Sequence, residues 1–459
     1  MQIIKIECII RFFYCLCYNT FAFGVIDVKI GFISLGCSKN LVVTEEIIGM
    51  FKKHNFKIVD EPEEAEILLI NTCGFIESAK DEGIQTILEM ADYKKRNCKY
   101  LIVTGCLVER YIKELEEELP EVDLFVKVSD YNKLWNKISN LINKKESEDE
   151  LDFMDRVLTT GDIMAYLKIA EGCSNYCTYC AIPYIQGKYI SRKYEDILEE
   201  AKSLAKKGIQ ELVVIAQDTT KYGVDLYGHS RLAELLKDLE KIEGIKWIRF
   251  LYSYPETITD ELIDVVKNSS KICHYFDLPI QHISDDVLKR MNRKSDKKSI
   301  YDLVNKLRKE IPDVILRTTL IVGFPDETEE DFRELCEFVK TCKFDRLGAF
   351  SYSAEDGTPA AKFPNQIDKK VKLERRDKIM EIQQEVSMNN MKNKIGKVYT
   401  CLIENITEDG EYLIGRSYMD VPSEDGVIYI ENDNDTMINE FVDVKITDSS
   451  EYDLFGIVK

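Results

Sequence analysis

The chain has 459 residues, 45% of them hydrophobic and 31% charged, which suits an ordinary globular protein of roughly two to four domains. A net charge of −20 excludes a protein built around a broad nucleic-acid footprint, because phosphate binding needs an excess of Lys and Arg. Fourteen cysteines in so long a chain, without the dense short loops of small secreted domains, point to metal binding or catalysis in a reducing compartment rather than to disulfides.

The first 27 residues differ from the rest of the chain. Arg11-Phe12-Phe13-Tyr14-Cys15-Leu16-Cys17-Tyr18 is a short apolar run behind Lys5, with no small-residue cleavage site after it. A signal peptide is one reading. The other, which the sequence favours, is an N-terminal extension outside the fold or an upstream start. No segment is long enough to span a bilayer.

From Val28 the pattern becomes regular. Residues 28–35, 66–71 and 100–104 read as buried strands, and 41–51, 77–92 and 108–118 as helices. This alternation predicts βαβ units and a parallel sheet over a domain of residues 28–145. A cysteine ends each strand: Gly36-Cys37, Thr72-Cys73-Gly74 and Gly105-Cys106. The carboxyl ends of parallel strands share one edge, where ligands bind. Three cysteines there can converge on one iron–sulfur cluster, although singly each reads as a buried free thiol.

Acidic residues between 145 and 155 predict a solvated linker. Strands are then predicted at 165–170, 212–216, 247–252, 274–278, 315–322 and 347–352. Helices between them include 195–207, 231–241 and 329–340. Six βα units over residues 156–395 predict an incomplete TIM-like barrel with its site at the carboxyl-terminal face. Just past the first strand comes Cys173-Ser174-Asn175-Tyr176-Cys177-Thr178-Tyr179-Cys180. Three thiolates at this spacing suit a 4Fe–4S cube that leaves one iron open. A structural zinc would want a fourth ligand, and no further Cys or His lies within twenty residues. Gln217 and Asp218 follow the second strand, and Gly323-Phe324-Pro325 the fifth, so both segments are candidates for a pocket beside the trio. Ordinary loop chemistry is the alternative reading.

With its two trios in this order, the chain resembles the methylthiotransferases, a family of radical S-adenosylmethionine (SAM) enzymes. The resemblance runs from about Val28 to the C-terminus. It rests on Gly36-Cys37-Ser38-Lys39-Asn40, Asn71-Thr72-Cys73-Gly74-Phe75, Thr104-Gly105-Cys106, the second trio, and Gly323-Phe324-Pro325. It implies a sulfur-cluster domain, a radical-SAM barrel and a small C-terminal β-barrel, and two 4Fe–4S clusters. The first, on Cys37, Cys73 and Cys106, would carry the sulfur to be transferred. The second, on Cys173, Cys177 and Cys180, would cleave SAM to a 5′-deoxyadenosyl radical, while another SAM donates the methyl group. It further implies an electron donor such as flavodoxin or ferredoxin, a sulfur source, and a cytoplasmic location, since export would ill suit an oxygen-sensitive cluster.

Within the family the chain resembles the branch that methylthiolates an aspartate of small-subunit ribosomal protein S twelve. The residues that carry this are Leu251-Tyr252-Ser253-Tyr254-Pro255 and His282 in Leu278-Pro279-Ile280-Gln281-His282. His282 reads either as a substrate-pocket residue or as a satisfied loop histidine. A tRNA-adenosine methylthiotransferase is the same-class alternative, and a non-catalytic RNA-binding or metal scaffold the alternative of another class. Two residues depart from the family pattern: Asp326 stands where Gly usually follows Gly-Phe-Pro, and Gln186 where Arg usually precedes Gly187.

Residues 396–459 alternate apolar and polar positions at 398–403, 412–415, 426–430 and 441–446, which predicts a small β-barrel resembling the TRAM domain. Such domains are usually credited with binding RNA. Here four basic residues stand against fifteen acidic ones, the wrong sign for gripping tRNA and the right one for a basic ribosomal protein. Solubility alone is the plainer account of that charge.

Overall fold

The computed structural model describes residues 28–144 and 149–459; the predicted extension over 1–27 lies outside the described residues. The N-terminal unit contains β1 (Lys29–Ser34), α1 (Ser38–Lys53), β2 (Lys57–Ile58), β3 (Ile67–Thr72), α2 (Glu77–Ala91), β4 (Tyr100–Gly105), α3 (Cys106–Glu118), β5 (Leu124–Val126) and α4 (Leu134–Leu141). The strands form one parallel sheet in the order β2-β1-β3-β4-β5. Central β3 is buried along its whole length, with the apolar run Ile67–Ile70 followed by buried, hydrogen-bonded Asn71 and Thr72. Ile47 and Phe51 of α1 pack with Trp135 and Ile138 of α4 on one face, and Ile87 of α2 with Leu107 and Leu115 of α3 on the other.

The second unit begins with β6 (Met164–Lys168), the short pair β7 (Ala170–Glu171) and β8 (Ile190–Ser191), α5 (Ile182–Ile185) and α6 (Tyr194–Lys206). It continues through β9 (Glu211–Ile215), α7 (Val224–Tyr227), α8 (Leu232–Glu240), β10 (Trp247–Phe250), α9 (Asp260–Asn268), β11 (Tyr275–Gln281), α10 (Asp285–Arg290) and α11 (Lys297–Glu310). It closes with β12 (Ile315–Val322), α12 (Glu329–Cys342), β13 (Arg346–Ser351) and α13 (Lys369–Lys392). The parallel sheets β6–β9–β10 and β11–β12–β13 meet at a bridge between Ile248 and Ile272, giving an open six-stranded arc. All six predicted strands are present. Helix starts are set locally: Thr328 and Asp331 form a capping box at α12, and Asp296 and Ser299 another at α11.

The third unit is a closed barrel of β14 (Val398–Ile406), β15 (Tyr412–Ser417), β16 (Ile428–Glu431), β17 (Phe441–Ser449) and β18 (Leu454–Val458). Four of these strands are legible in the sequence. The fifth, β18, closes the ring between β16 and β17. Gly456 at its centre breaks the strand signal, but a Cβ there would meet Val444 at 2.5 Å.

This small barrel docks on the amino-terminal mouth of the large one. Arg416 pairs with Glu211 at the start of β9 at 2.5 Å, with both side chains buried. Arg249 donates to the Tyr418 carbonyl at 2.7 Å, and Arg346 and Arg317 pair with Asp420 and Glu424. One mouth is therefore plugged, and the carboxyl-terminal strand ends are left for the site. Among the described residues no helix is long and apolar enough to cross a membrane.

Candidate functional site

The first trio sits where the sheet delivers it. Cys37 is the residue before α1, Cys73 follows β3, and Cys106 opens α3 directly after β4. Buried Asn40 ties these strand ends together: its amide donates to the Leu35 carbonyl at 2.7 Å, and Asn71 donates to the Asn40 carbonyl at 3.0 Å. Gly36 has φ +89°, and a Cβ there would lie 2.6 Å from Cys73 Cβ and 3.0 Å from its Sγ. Only glycine lets the Cys37 turn come so close to Cys73. Cys37 is exposed, Cys73 half-buried and Cys106 buried. Burial pushes the Cys73 thiol up to about 11, with the Cys37 charge adding to it. Cys106 is driven higher still by burial and by Cys73 and Cys37. Three converging thiols are a donor set that suits an iron–sulfur cluster, which binds cysteine as thiolate.

The second trio occupies the loop after β6 and β7. Its backbone is pinned on several sides. Cys173 N–H donates to the Gly187 carbonyl at 3.1 Å, Cys180 N–H to Cys177 at 3.0 Å, and Thr178 N–H to Met291 at 3.1 Å. Asn175 donates to Asp218 at 2.9 Å, and Asn292 to the Tyr176 carbonyl at 2.9 Å. Burial pushes Cys173 up to about 11 and Cys180 further. Arg293 supplies a buried cation, 4.0 Å from Cys177 Sγ and stacked 4.3 Å from the Tyr254 ring, whose hydroxyl is 3.9 Å from the same sulfur. Among the described residues no three Cys, His, Asp or Glu side chains stand at the spacing that encloses a single metal ion. An iron–sulfur cube instead distributes its thiolates over several irons.

The two strand edges face each other. Arg110 of α3 donates to the Gly74 carbonyl at 2.7 Å and to Glu355 of the barrel at 3.2 Å. Lys39, two residues after Cys37, lies 3.4 Å from the centre of the Tyr252 ring just past β10. Gln186 spans the gap. Its Nε2 stands 3.9 Å from Cys106 Sγ, while its Oε1 accepts from Gln217 Nε2 at 2.9 Å.

The remaining sequence candidates form a layer behind this centre. Asp218 is fully buried, and burial raises its carboxyl despite donors from Thr220 and Asn175. Gly323 and Phe324 donate their N–H groups to Glu327 at 2.7 and 3.2 Å. Phe324 and Pro325 are buried, with the Phe324 ring 5.1 Å from that of Tyr352. His282 is also buried, accepts from Ser284 N–H at 3.0 Å, and places Nε2 3.6 Å from Glu327. Tyr179, between two cysteines of the second trio, packs on the cluster formed by Phe324, Met291 and Tyr352. Asp326 has φ +64°, which accounts for the glycine expected at that position. The roles of Arg293, Tyr254, Asn175, Arg110 and Glu327 are not legible in the sequence. Tyr254 lies inside the Leu251–Pro255 motif and Asn175 inside the second cysteine run, but neither carries a sign there of its contact with Cys177 or Asp218, and the others carry no local signal.

The Radical SAM superfamily model matches residues 167–339, the model described as uncharacterized protein family UPF0004 matches 29–127, and the TRAM domain model matches 395–458. The "Ribosomal protein uS12 methylthiotransferase RimO" of Alkaliphilus oremlandii is 63% identical over 430 residues, covering 93% of this chain and 98% of that protein. The protein of the same name from Clostridioides difficile is 52% identical, covering 94% and 98%. Among solved structures, the radical SAM methyltransferase TsrM from Kitasatospora setae, with tryptophan and a SAM analog, aligns with a TM-score of 0.56 at 11% identity over 78% of this chain and 89% of that one. OxsB, a cobalamin-dependent SAM radical enzyme, aligns at 0.51 and 11% over 78% and 56%. Identities this low show the shared fold alone.

Proposed function

Because this chain belongs to the ribosomal protein uS12 methylthiotransferase family of radical-SAM enzymes, we propose that it inserts sulfur at the β-carbon of an aspartate of uS12 and methylates it, giving 3-methylthioaspartate. It is a transferase that uses SAM and a 4Fe–4S cluster. When bound, that cluster supplies the electron for reductive cleavage of SAM. Cys173, Cys177 and Cys180 would hold it, with Arg293 balancing thiolate charge and Asn175 and Thr178 fixing the loop. Gln217 and Asp218 would border the SAM pocket. Gly323, Phe324, Pro325 and His282 would support it through Glu327. Cys37, Cys73 and Cys106 would hold a second 4Fe–4S cluster at which sulfur is delivered, replenished by an outside sulfur source. A flavodoxin or ferredoxin would supply electrons in the cytoplasm.

The observation that carries this reading is that Cys106 of the first trio packs on Ala181, the residue after Cys180 of the second, with Gln186 reaching Cys106 on one side and Gln217 on the other. The charge of the third unit favours a protein over tRNA. Glu404, Asp420, Glu424 and Asp425 are turned toward Arg416, Arg346, Arg317 and Tyr275, so the acidity of that unit is partly structural. Yet Arg416 is spent in the same network, and Glu408, Asp409, Glu411, Glu431, Asp433, Asp435 and Glu440 remain exposed. Mass spectrometry of uS12 and tRNA from a deletion strain tests the proposal. Loss of the methylthio group from uS12 with tRNA unchanged is expected; loss from tRNA alone would make this the adenosine-modifying enzyme.

A further inference from the structure

Strand β1 leads straight to Cys37, and among the described residues no strand pairs with most of its outer edge. Along a parallel strand, hydrogen bonding alternates between the two neighbours. Lys29 accepts from Glu66 and Leu35 donates to Asn71 on the β3 side, whereas Val28 and Ile30 accept from Lys57 and Val59 on the β2 side. The even-numbered positions therefore face β2. But β2 pairs only with Lys29 and Ile30. Beyond them, among the described residues, no strand covers the positions of Phe32 and Ser34 on that side.

This edge runs along a cleft of about 640 Å³ between α1, α2 and the segment Val157, Leu158 and Thr159, within the size range of ligand sites. Asp60, Glu61, Glu63, Glu82 and Glu89 line it, and among the described residues no Lys or Arg does. Glu82 is half-buried, its carboxyl is raised by burial, and among the described residues it has no hydrogen-bond or ion-pair partner. It lies at the end of the cleft toward the first trio, where its charge acts on Cys73. Leu35, two residues before Cys37, lines the same cleft.

We propose that this cleft receives an extended, Lys- and Arg-rich segment of the substrate protein as an added strand on β1, with its cations on the cleft carboxylates. Free N–H and C=O groups at a strand edge are a template for such addition, and alternate side chains then read the pockets. Five carboxylates in a cleft that no described Lys or Arg lines select a basic peptide over an acidic or neutral one. Pairing at Phe32 and Ser34 delivers the segment toward Cys37. This inference rests on the reading that the substrate is a protein.

Hydrogen exchange on the full chain tests it, with and without a basic oligopeptide cut from uS12 around the substrate aspartate. Amides of Phe32 and Ser34 should become protected on binding. The double variant Glu82→Lys with Glu89→Lys should bind the same peptide at least about tenfold more weakly, and wild-type binding should weaken with salt. Unchanged exchange at β1 when the peptide is bound, or equal affinity in the variant, would overturn the proposal. So would protection already present without peptide and lost on removing residues 1–27, because the chain itself would then fill the edge. Methylthiolation of intact uS12 by the wild type is measured alongside. Its failure would count against the function, whereas methylthiolation without β1 protection would count against this cleft alone.

Discussion

Replacing Gly36 by alanine perturbs the first trio at its tightest point. The residue sits at φ +89°, where an L side chain costs about 1–2 kcal/mol. The new Cβ would lie 2.6 Å from Cys73 Cβ and 3.0 Å from Cys73 Sγ, and neither is the far end of a flexible chain. Relieving such overpacking costs a further ~1–3 kcal/mol. The sum, roughly 2–5 kcal/mol, is within the about 5–15 kcal/mol that a domain usually has, so the chain should fold with Cys73 displaced. The assay is iron and acid-labile sulfide after anaerobic reconstitution, beside thermal melting. Wild type should hold about eight irons, two cubes' worth, and Gly36→Ala about four, with uncoupled SAM cleavage retained. Gly410→Ala separates strain from collision. Its φ is +74°, but nothing lies within 4 Å of a Cβ there, so it should lose only about 1–2 kcal/mol and no iron. Full iron in Gly36→Ala with a wild-type melt would refute the idea that this turn sets the cysteine spacing.

Cys177→Ala should abolish 5′-deoxyadenosine formation under dithionite while the first trio keeps its iron, because the two trios follow strands of separate sheets; continued SAM cleavage would remove this loop from the mechanism. Cys73→Ala should stop sulfur insertion but leave uncoupled SAM cleavage; iron content equal to wild type, reproducibly near four, would eliminate the second cluster. Arg416→Met should destabilise the docking of the third unit by about 3–5 kcal/mol, since it strands buried Glu211 with Arg249 as its remaining cation; a melt within error of wild type would contradict this. Burial raises the Glu211 carboxyl, but Arg416 and Arg249 outweigh it and hold it below its ordinary value. A carboxyl lowered on folding stabilises fully above its unfolded value of about 4.3, and that contribution disappears as pH falls through the lower folded value. Acid melts should therefore show wild type losing stability in that window and Arg416→Met losing less.

Much of this architecture was legible from short windows. Short, mostly apolar, β-branched segments such as 67–72 and 315–322 read as strands of a parallel sheet, and the helices between them follow from spacing and caps. Elements without a period escaped. Strand β2 has two residues and β5 three, too few to alternate, and β18 is interrupted by Gly456. Both cysteine trios were visible as residues, one by its C-x-x-x-C-x-x-C spacing and the other because each member ends a strand.

What the sequence by itself determined is the local chemistry: which segments are strands, which cysteines end them, and which loop carries three thiols in eight residues. Those follow from sterics and hydrophobic periodicity within a few residues of each position. The tertiary structure alone decided that the two trios share an interface, because that depends on pairs far apart in the chain. Gln186 meets Cys106 across 80 residues, Arg110 meets Glu355 across 245, and Arg416 meets Glu211 across 205. It also decided that part of the acidity of the last unit is internal, since a carboxylate reads alike in sequence whether it faces water or a buried arginine. Such pairs leave no periodic trace, because the entropy of closing a long loop rises only slowly with its length and the chain can bring almost any two segments together.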